Sequence, residues 1–207
     1  MHVLSVIAHP NANSFSHQVL KAFAAGAIAA GHTHEAADLY RENFDPVMSM
    51  RDMEQFDGAP MTADVLAEQA RVDRADALCL IYPIWWYGMP AMMKGWLDRV
   101  WSAGWAYEWK HDPEGSLLRQ RPLTLLLPTG ASERQITEFG CEDRLDHVWR
   151  HGVFGYCGVD PIRIHFLLDS AFDKGAHATH LETAYAAGQQ VAEVAGYDVP
   201  NRGGRSR

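Results

Sequence analysis

Apolar residues in this chain fall in short runs, separated by segments where they recur every three or four positions. The run HVLSVIA (His2–Ala8) reads as a buried strand. After the turn-rich HPNANS, apolar side chains stand at Phe15, Val19, Leu20, Phe23, Ala27 and Ile28, the spacing of one helix face, and Gly31 ends that helix. HTHEAADLY (His32–Tyr40) follows as a second strand. Arg41 to about Asp64, broken at Asp45-Pro46 and Gly58-Ala59-Pro60, predicts an irregular surface excursion, and Val65–Arg74 a short helix. ADALCLIYPI (Ala75–Ile84) is apolar almost throughout, as a strand covered on both faces must be. Pro90 suits the first turn of a helix running to about Trp101. Trp105–Gly115 predicts a hairpin or loop, PLTLLLPTG (Pro122–Gly130) a fourth strand, and Arg134–Gly152 a helix. PIRIHFLL (Pro161–Leu168) supplies the fifth strand. Leu181–Ala195 predicts a closing helix with Leu181, Ala184, Tyr185, Gly188 and Val191 on one face.

Five strands alternating with helices specify an α/β fold: a doubly wound, five-stranded parallel sheet with helices on both faces. No internal linker divides it, so residues 1–196 are expected to form one domain, with the Gly-rich basic end at 197–207 a flexible tail. Ligands in such sheets sit beyond the carboxyl ends of the strands. Three loops should meet there: HPNANSFS after the first strand, PIWWYG after the third and PTGAS after the fourth.

Charge sharpens this picture. The formal net charge of −8 argues against nucleic acid as a partner. Yet no Asp or Glu occurs before Glu35, which suits a bound anion in the N-terminal unit. The three cysteines, Cys79, Cys141 and Cys157, form no C-x-x-C pair and read as small buried hydrophobes. With no secretory signal and no uninterrupted apolar stretch of about 20 residues, a reducing cytoplasm is the expected location.

The first loop is a phosphate-site candidate. Asn13 or Ser14 would cap the helix, leaving the N–H groups of Phe15, Ser16 and His17 for an anion, with Ser14, Ser16 and His9 as further donors. It is neither a P-loop nor a G-x-G-x-x-G turn. The second loop begins PIWWYGMPAMMKGW (Pro83–Trp96), with three Trp, one Tyr and three Met in fourteen residues. Met92, Met93, Trp96 and Trp101 read as core, whereas Trp86 and Tyr87, beyond the strand where Gly88 and Pro90 force a turn, offer flat faces to a ligand. PTGAS adds amide donors. Phosphate on one side, a planar ring on another and amides on a third point to a flavin nucleotide. Carboxylate pairs, metal-spaced His/Cys clusters and a G-x-S-x-G elbow are all lacking, so hydrolysis and metal chemistry have no support, and His177 with His180 reads as a solvated pair.

At these residues the chain resembles the NAD(P)H:quinone oxidoreductase family of the flavodoxin-like fold. The motifs are AHP…SFS (Ala8–Ser16), DLY (Asp38–Tyr40), AEQ…AD (Ala67–Asp76), YPIWWYGMPAMMKGWLDRVW (Tyr82–Trp101), GWAYEW (Gly104–Trp109) and Thr129-Gly130. The resemblance implies a homodimeric flavoenzyme, FAD-dependent with FMN as the alternative, taking NAD(P)H as co-substrate. It assigns His9, Ser14, Phe15 and Ser16 to the phosphates and Gln69 to the adenosine part. Pro83, Ile84, Trp86 and Tyr87 would line the isoalloxazine, and Thr129 with Gly130 its pyrimidine edge. Tyr107 and Trp109 would reach into the neighbouring subunit's site. Two places depart from the pattern: Ala131 stands where a second Gly is usual, and Ile136 and Glu142 stand where many members carry a Tyr and a His, with His147 a nearby substitute.

The implied reaction is two-electron reduction of quinones or similar flat acceptors, by ping-pong hydride transfer through the flavin, with no catalytic side chain assigned. Trp86, Tyr107 and Trp109 would clamp nicotinamide and acceptor in turn by stacking. Two alternatives share the cofactor: an azo- or nitroreductase of the same group, and a flavin-bound regulatory subunit of a membrane transport system. A one-electron flavodoxin carrier is disfavoured, because its T/S-x-T-G-x-T loop and acidic rim are missing.

Overall fold

The computed structural model describes residues 1–108 and 115–193. In chain order its elements are β1 (His2–Ile7), α1 (Phe15–Ala29), β2 (Thr33–Asp38), α2 (Met50–Met53), α3 (Ala63–Arg74), β3 (Ala77–Ile81), α4 (Ala91–Val100), β4 (Leu123–Pro128), α5 (Glu133–Glu138), α6 (Cys141–His147), β5 (Ile162–Leu167) and α7 (Ala176–Gln189). A 3-10 turn (Glu54–Asp57) follows α2 and a π-helical turn (Val148–Phe154) follows α6.

The strands form one parallel sheet in the order β2-β1-β3-β4-β5. Alternate residues of each strand feed two apolar layers, as the two-residue pleat requires. Leu4, Val6, Leu78 and Leu80 pack with Val65, Val72, Met93 and Trp96 of α3 and α4. Val3, Ile7, Cys79 and Ile81 pack with Val19, Phe23 and Ala27 of α1 and with Ala184 and Ala187 of α7. The α1–α7 contact is close enough to demand glycine: a Cβ on Gly26 would lie 2.0 Å from the Tyr185 carbonyl oxygen, and one on Gly188 2.1 Å from that of Phe23.

Five parallel strands match the sequence reading, with boundaries moved for local reasons. β3 stops at Ile81, because Pro83 has no N–H for the ladder. The helical stretch after β4 is broken by Gly140 (φ 56°) into α5 and α6. The closing helix lies earlier than Leu181–Ala195, at Ala176–Gln189. His177 and His180 anchor its first turns by donating from Nε2 to the carbonyls of Ser170 and Leu168, 2.8 and 2.7 Å away. Tyr185 remains partly at the surface instead of joining the buried face.

The excursion after β2 is more ordered than its breakers suggest. Arg99, buried on α4, bonds both Asp52 carboxylate oxygens (3.1 and 3.3 Å), Asp64 Oδ2 (2.7 Å) and the Asp45 carbonyl (2.7 Å). The Asp52 carboxyl is buried, which by itself would raise its pKa, but Arg99 and Ser49 bonding holds it below the usual carboxylate range. All three cysteines are free, Cys79 and Cys157 buried as expected and Cys141 half-buried. The stretch 197–207 read as a tail lies outside the described residues. No helix among the described residues is long and apolar enough to cross a membrane.

Candidate functional site

The parallel register sets the C-terminal ends of β1, β3 and β4 side by side, and backbone bonds tie together the loops that leave them. Ala8 N–H donates to Ile81 O (3.1 Å), Ile84 N–H to Pro128 O (2.9 Å) and Thr129 N–H to Leu167 O (3.0 Å). The His9 ring stands 6.1 Å from that of Trp85, so the first loop touches the second.

In the first loop, Asn11 organises the reversal. Its N–H donates to His9 Nδ1 (3.1 Å), its side chain accepts from Asn13 N–H (2.9 Å), and its carbonyl accepts from Ser14 N–H (3.0 Å). Ser14 is the N-cap, its hydroxyl accepting from His17 N–H at 3.3 Å. This corrects one expectation: the His17 amide is taken by the cap and is not left for an anion. The amides of Phe15 and Ser16 have no acceptor among the described residues. Ser16 is only 2% exposed, and its hydroxyl is likewise unpartnered there. With Nδ1 accepting, His9 carries its hydrogen on Nε2, and burial holds its pKa below the ordinary imidazole value. No acid stands in the first turn of α1. Two free amides, an unpaired hydroxyl, an imidazole N–H and no carboxylate in the first turn of α1 form a donor set that fits phosphate.

The second loop is a two-residue reversal. Trp85 and Gly88 exchange backbone bonds (3.2 and 3.0 Å), and the central residues, Trp86 and Tyr87, both take positive φ (51° and 56°). The sequence reading credited Gly88 and Pro90 with this turn; the left-handed positions belong to the two aromatics themselves. Non-glycine residues occupy that region at a cost of roughly 1–2 kcal/mol each. The Trp86 side chain is 100% exposed and Tyr87 42%. The amides of Trp86 and Tyr87 have no acceptor among the described residues. Met93, Trp96 and Trp101 are buried, as read from the sequence, and Met92 is partly so.

The third loop is held from the β5 side. Ser170 donates from both N–H (2.9 Å) and hydroxyl (3.1 Å) to the Thr129 carbonyl, and Asp169 N–H donates to Ala131 O (3.0 Å). The Thr129 hydroxyl oxygen accepts from Ala131 N–H at 3.1 Å. Of the expected amide donors, Thr129 N–H is therefore engaged, whereas Gly130 N–H has no acceptor among the described residues. A Cβ on Gly130 would meet the Phe172 ring at 3.0 Å and Ala171 at 3.2 Å, so the departure from a double glycine falls at Ala131, where a side chain is accommodated. Phe172 itself is exposed beside Gly130, a third flat surface that sequence reading missed.

The other predicted positions lie elsewhere. Gln69 is 5% exposed, its Nε2 donating to Val100 O and Ser102 Oγ, both at 2.9 Å. It lines a cavity of about 360 Å³ together with Phe56, Met61 and Trp105. Tyr107 borders a second cavity of about 330 Å³ beside Lys94, Asp98 and Tyr156. Neither cavity shares a residue with the three loops. Burial, then proximity to Tyr156 and Cys157, pushes the Tyr107 phenol pKa up. Trp109 lies outside the described residues. Ile136 is buried and Glu142 exposed. One H-x-x-x-H pair passed over in the sequence, His147 and His151, brings its rings to 4.7 Å, but no group of three metal-ligating side chains occurs among the described residues.

A family model described as a flavodoxin-like fold matches residues 1–191. The chain belongs to that flavodoxin-like family. An uncharacterized NAD(P)H oxidoreductase of Haemophilus influenzae is 31% identical over 178 residues, 83% of this chain and 88% of that protein. The solved NAD(P)H:quinone oxidoreductase from Methanothermobacter marburgensis superposes with a TM-score of 0.85 at 35% identity, covering 93% of this chain and 97% of that one. An FMN-dependent NADH-azoreductase from Bacillus anthracis, solved in complex with FMN, shares the fold alone: TM-score 0.69, 17% identity, 92% and 99% coverage. By sequence, then, this flavodoxin-like chain stands among NAD(P)H oxidoreductases.

Proposed function

We propose that the chain is a flavin-dependent NAD(P)H oxidoreductase that reduces quinones or similarly flat acceptors. The observation that carries this reading is the contact, through His9 and Trp85, between a donor loop with no acid in the first turn of α1 and the loop that exposes Trp86 at the same sheet edge. The names of the relatives support the same reaction class.

A bound flavin would supply the two-electron hydride chemistry between NAD(P)H and the acceptor. The chain's own residues bind and orient. Phe15 and Ser16 amides, the Ser16 hydroxyl and His9 Nε2 would hold phosphate; Pro83, Ile84, Trp86 and Tyr87 would line the ring. Gly130 N–H would donate to the edge of the ring where negative charge grows, the kind of preorganised donor that offsets developing charge. The exposed rings of Trp86 and Phe172 leave an open shelf, and a shelf that selects by flatness accepts many aromatic oxidants. Azo compounds therefore belong among the acceptors to be assayed.

The cofactor is FAD by the resemblance, with the cavity at Gln69 as room for an adenosine, or FMN as in the azoreductase of the same fold. Tyr107 stands apart from the three loops, which suits delivery to a neighbouring subunit's site in a homodimer. Three free cysteines suit a cytoplasmic enzyme. The test is direct. The purified protein should be yellow, release FAD or FMN identified by mass, oxidise NAD(P)H with quinone, and elute as a dimer. A colourless protein that takes up neither flavin would overturn the reading; a yellow protein inert toward quinones and azo dyes that co-purifies with a membrane transport complex would favour a regulatory subunit instead.

A further inference from the structure

Beneath the α1 N-terminus three side chains are strung in line. His17 Nε2 lies 2.9 Å from Asp38 Oδ2, and His17 Nδ1 lies 2.8 Å from Ser14 Oγ. The parallel register makes this meeting possible, since Asp38 pairs with Ile7 at the end of β2, just where β1 gives way to the loop. Ser14 and His17 are buried. We propose that Ser14, His17 and Asp38 form a proton-linked latch, in which His17 takes up a proton when phosphate docks on the loop and so turns the Ser14 hydroxyl outward as a donor. This rests on the flavin reading above.

Hydrogen-bond inventory leads to it. Asp38 also accepts from Arg41, Nε to Oδ2 at 3.4 Å and N–H to Oδ1 at 3.3 Å, so its carboxylate is surrounded by donors and acts as an acceptor only. His17 must then carry a hydrogen on Nε2. In the neutral ring Nδ1 is a lone pair, and the only hydrogen available for the 2.8 Å contact is that of the Ser14 hydroxyl. The Ser14 oxygen meanwhile accepts from His17 N–H. In this state Ser14 presents a lone pair to the loop, and a phosphate oxygen there meets like partial charge. One proton from water on Nδ1 reverses the bond: Nδ1–H donates to Ser14 Oγ, and the hydroxyl hydrogen is released toward the anion. The new imidazolium is paired with Asp38, so no cation is stranded in a buried place.

Few other charged groups face the His17 ring among the described residues. From the first loop, His9 faces His17 edge-on at 6.4 Å and is itself held below the ordinary value, chiefly by burial. From beyond β2, Arg41 is largely exposed, and on α1 Lys21 is exposed. From α7, His177 stacks on Phe15 at 3.8 Å and His180 stands 6.2 Å from the same ring, each bonded to a backbone carbonyl. Asp38 is the one carboxylate bonded to the His17 ring among the described residues.

Calorimetry of flavin-free protein decides it. FAD is titrated at pH 7.5, where an ordinary imidazole is neutral, in two buffers of different ionisation heat. The pyrophosphate of FAD does not titrate there, whereas the FMN monoester does so near pH 6; FMN is run in parallel for that reason. Uptake approaching about one proton per FAD is expected, with affinity tightening toward a limit of about tenfold per pH unit as pH falls to 6.5. Riboflavin, without phosphate, should take up none. His17→Asn should abolish the uptake for FAD and FMN alike. Ser14→Ala, which leaves the His17–Asp38 pair in place, should abolish it too. FAD or FMN binding without proton uptake at His17, or equal uptake with riboflavin, overturns the latch while leaving the flavin reading standing. Failure of all three flavins to bind overturns both.

Discussion

The loop after β1 hides its polar atoms, whereas the loop after β3 bares its aromatic rings. Ser14 and His17 are buried and wired to the sheet through Asp38, so the backbone of the first loop is fixed before any ligand arrives. The turn of Trp86 and Tyr87 is closed by the two backbone bonds between Trp85 and Gly88, in a conformation that costs energy and buries nothing of Trp86. Both arrangements cost stability: amides left without an acceptor in one, backbone strain in the other. Each is the cost expected of a surface that waits for a partner. A charged group needs rigid, pre-aimed donors, because an anion is held by direction as well as distance. A flat ring needs only area, which an exposed hairpin supplies.

The widest separation of the two loops should come from Trp86→Ala. Its kcat/KM for quinone is expected to fall about 10–100-fold, the value of a stacking face at roughly 1–3 kcal/mol, while the fold stays intact. Turnover at the wild-type rate would remove Trp86 from the acceptor shelf. Ser14→Ala acts on the other side: FAD affinity should weaken about tenfold and stability drop by about 1 kcal/mol through loss of the cap, with riboflavin affinity unaffected. Equal losses for FAD and riboflavin in equilibrium titration would contradict a phosphate role for this loop.

Trp86→Gly tests the strain. Relief of about 1–2 kcal/mol at a positive φ is partly cancelled by about 0.5–1 kcal/mol of glycine entropy, so the denaturant midpoint should stay level or rise while activity falls. A clear loss of stability would mean that the indole is packed, not displayed. The smallest effect is on pH. His9, His34 and His165 are all held below the ordinary imidazole value, burial being the main cause. The unfolded chain then binds more protons just below about pH 6.5, so the stability that these neutral rings favour is present above that pH and declines as pH falls through it. Trp86→Gly should keep the wild-type slope, and His34→Gln should flatten it; a slope unchanged in His34→Gln would separate that ring from the effect.

Much of this was legible in residue order. Leu4, Val6, Leu78 and Leu80 alternate with Val3, Ile7, Cys79 and Ile81 because a buried parallel strand needs apolar residues on both faces, and that need is local. A cap at Asn13 or Ser14, the exposure of Trp86 and the meeting of three loops follow from spacing plus the known handedness of crossovers, and the structure selects Ser14. What sequence could not give was occupancy. Whether the amide of His17, Thr129 or Gly130 is free depends on Ser14, Leu167 and the β5 loop, residues brought close only by packing. A serine followed three places on by a histidine resembles a capping pair, which was the one available hint of His17.

Periodicity alone thus determined a five-stranded α/β sheet, its order of elements and the edge at which a ligand would sit, because burial of apolar area is set by how often a side chain returns to the same face. Tertiary structure decided which polar atoms remain unspent at that edge: it joined Asp38 to His17, set Phe172 against Gly130 and left Gln69 committed to Val100. Hydrogen bonds are short and directional, so their partners are fixed by register and packing across many residues, and no local pattern encodes them.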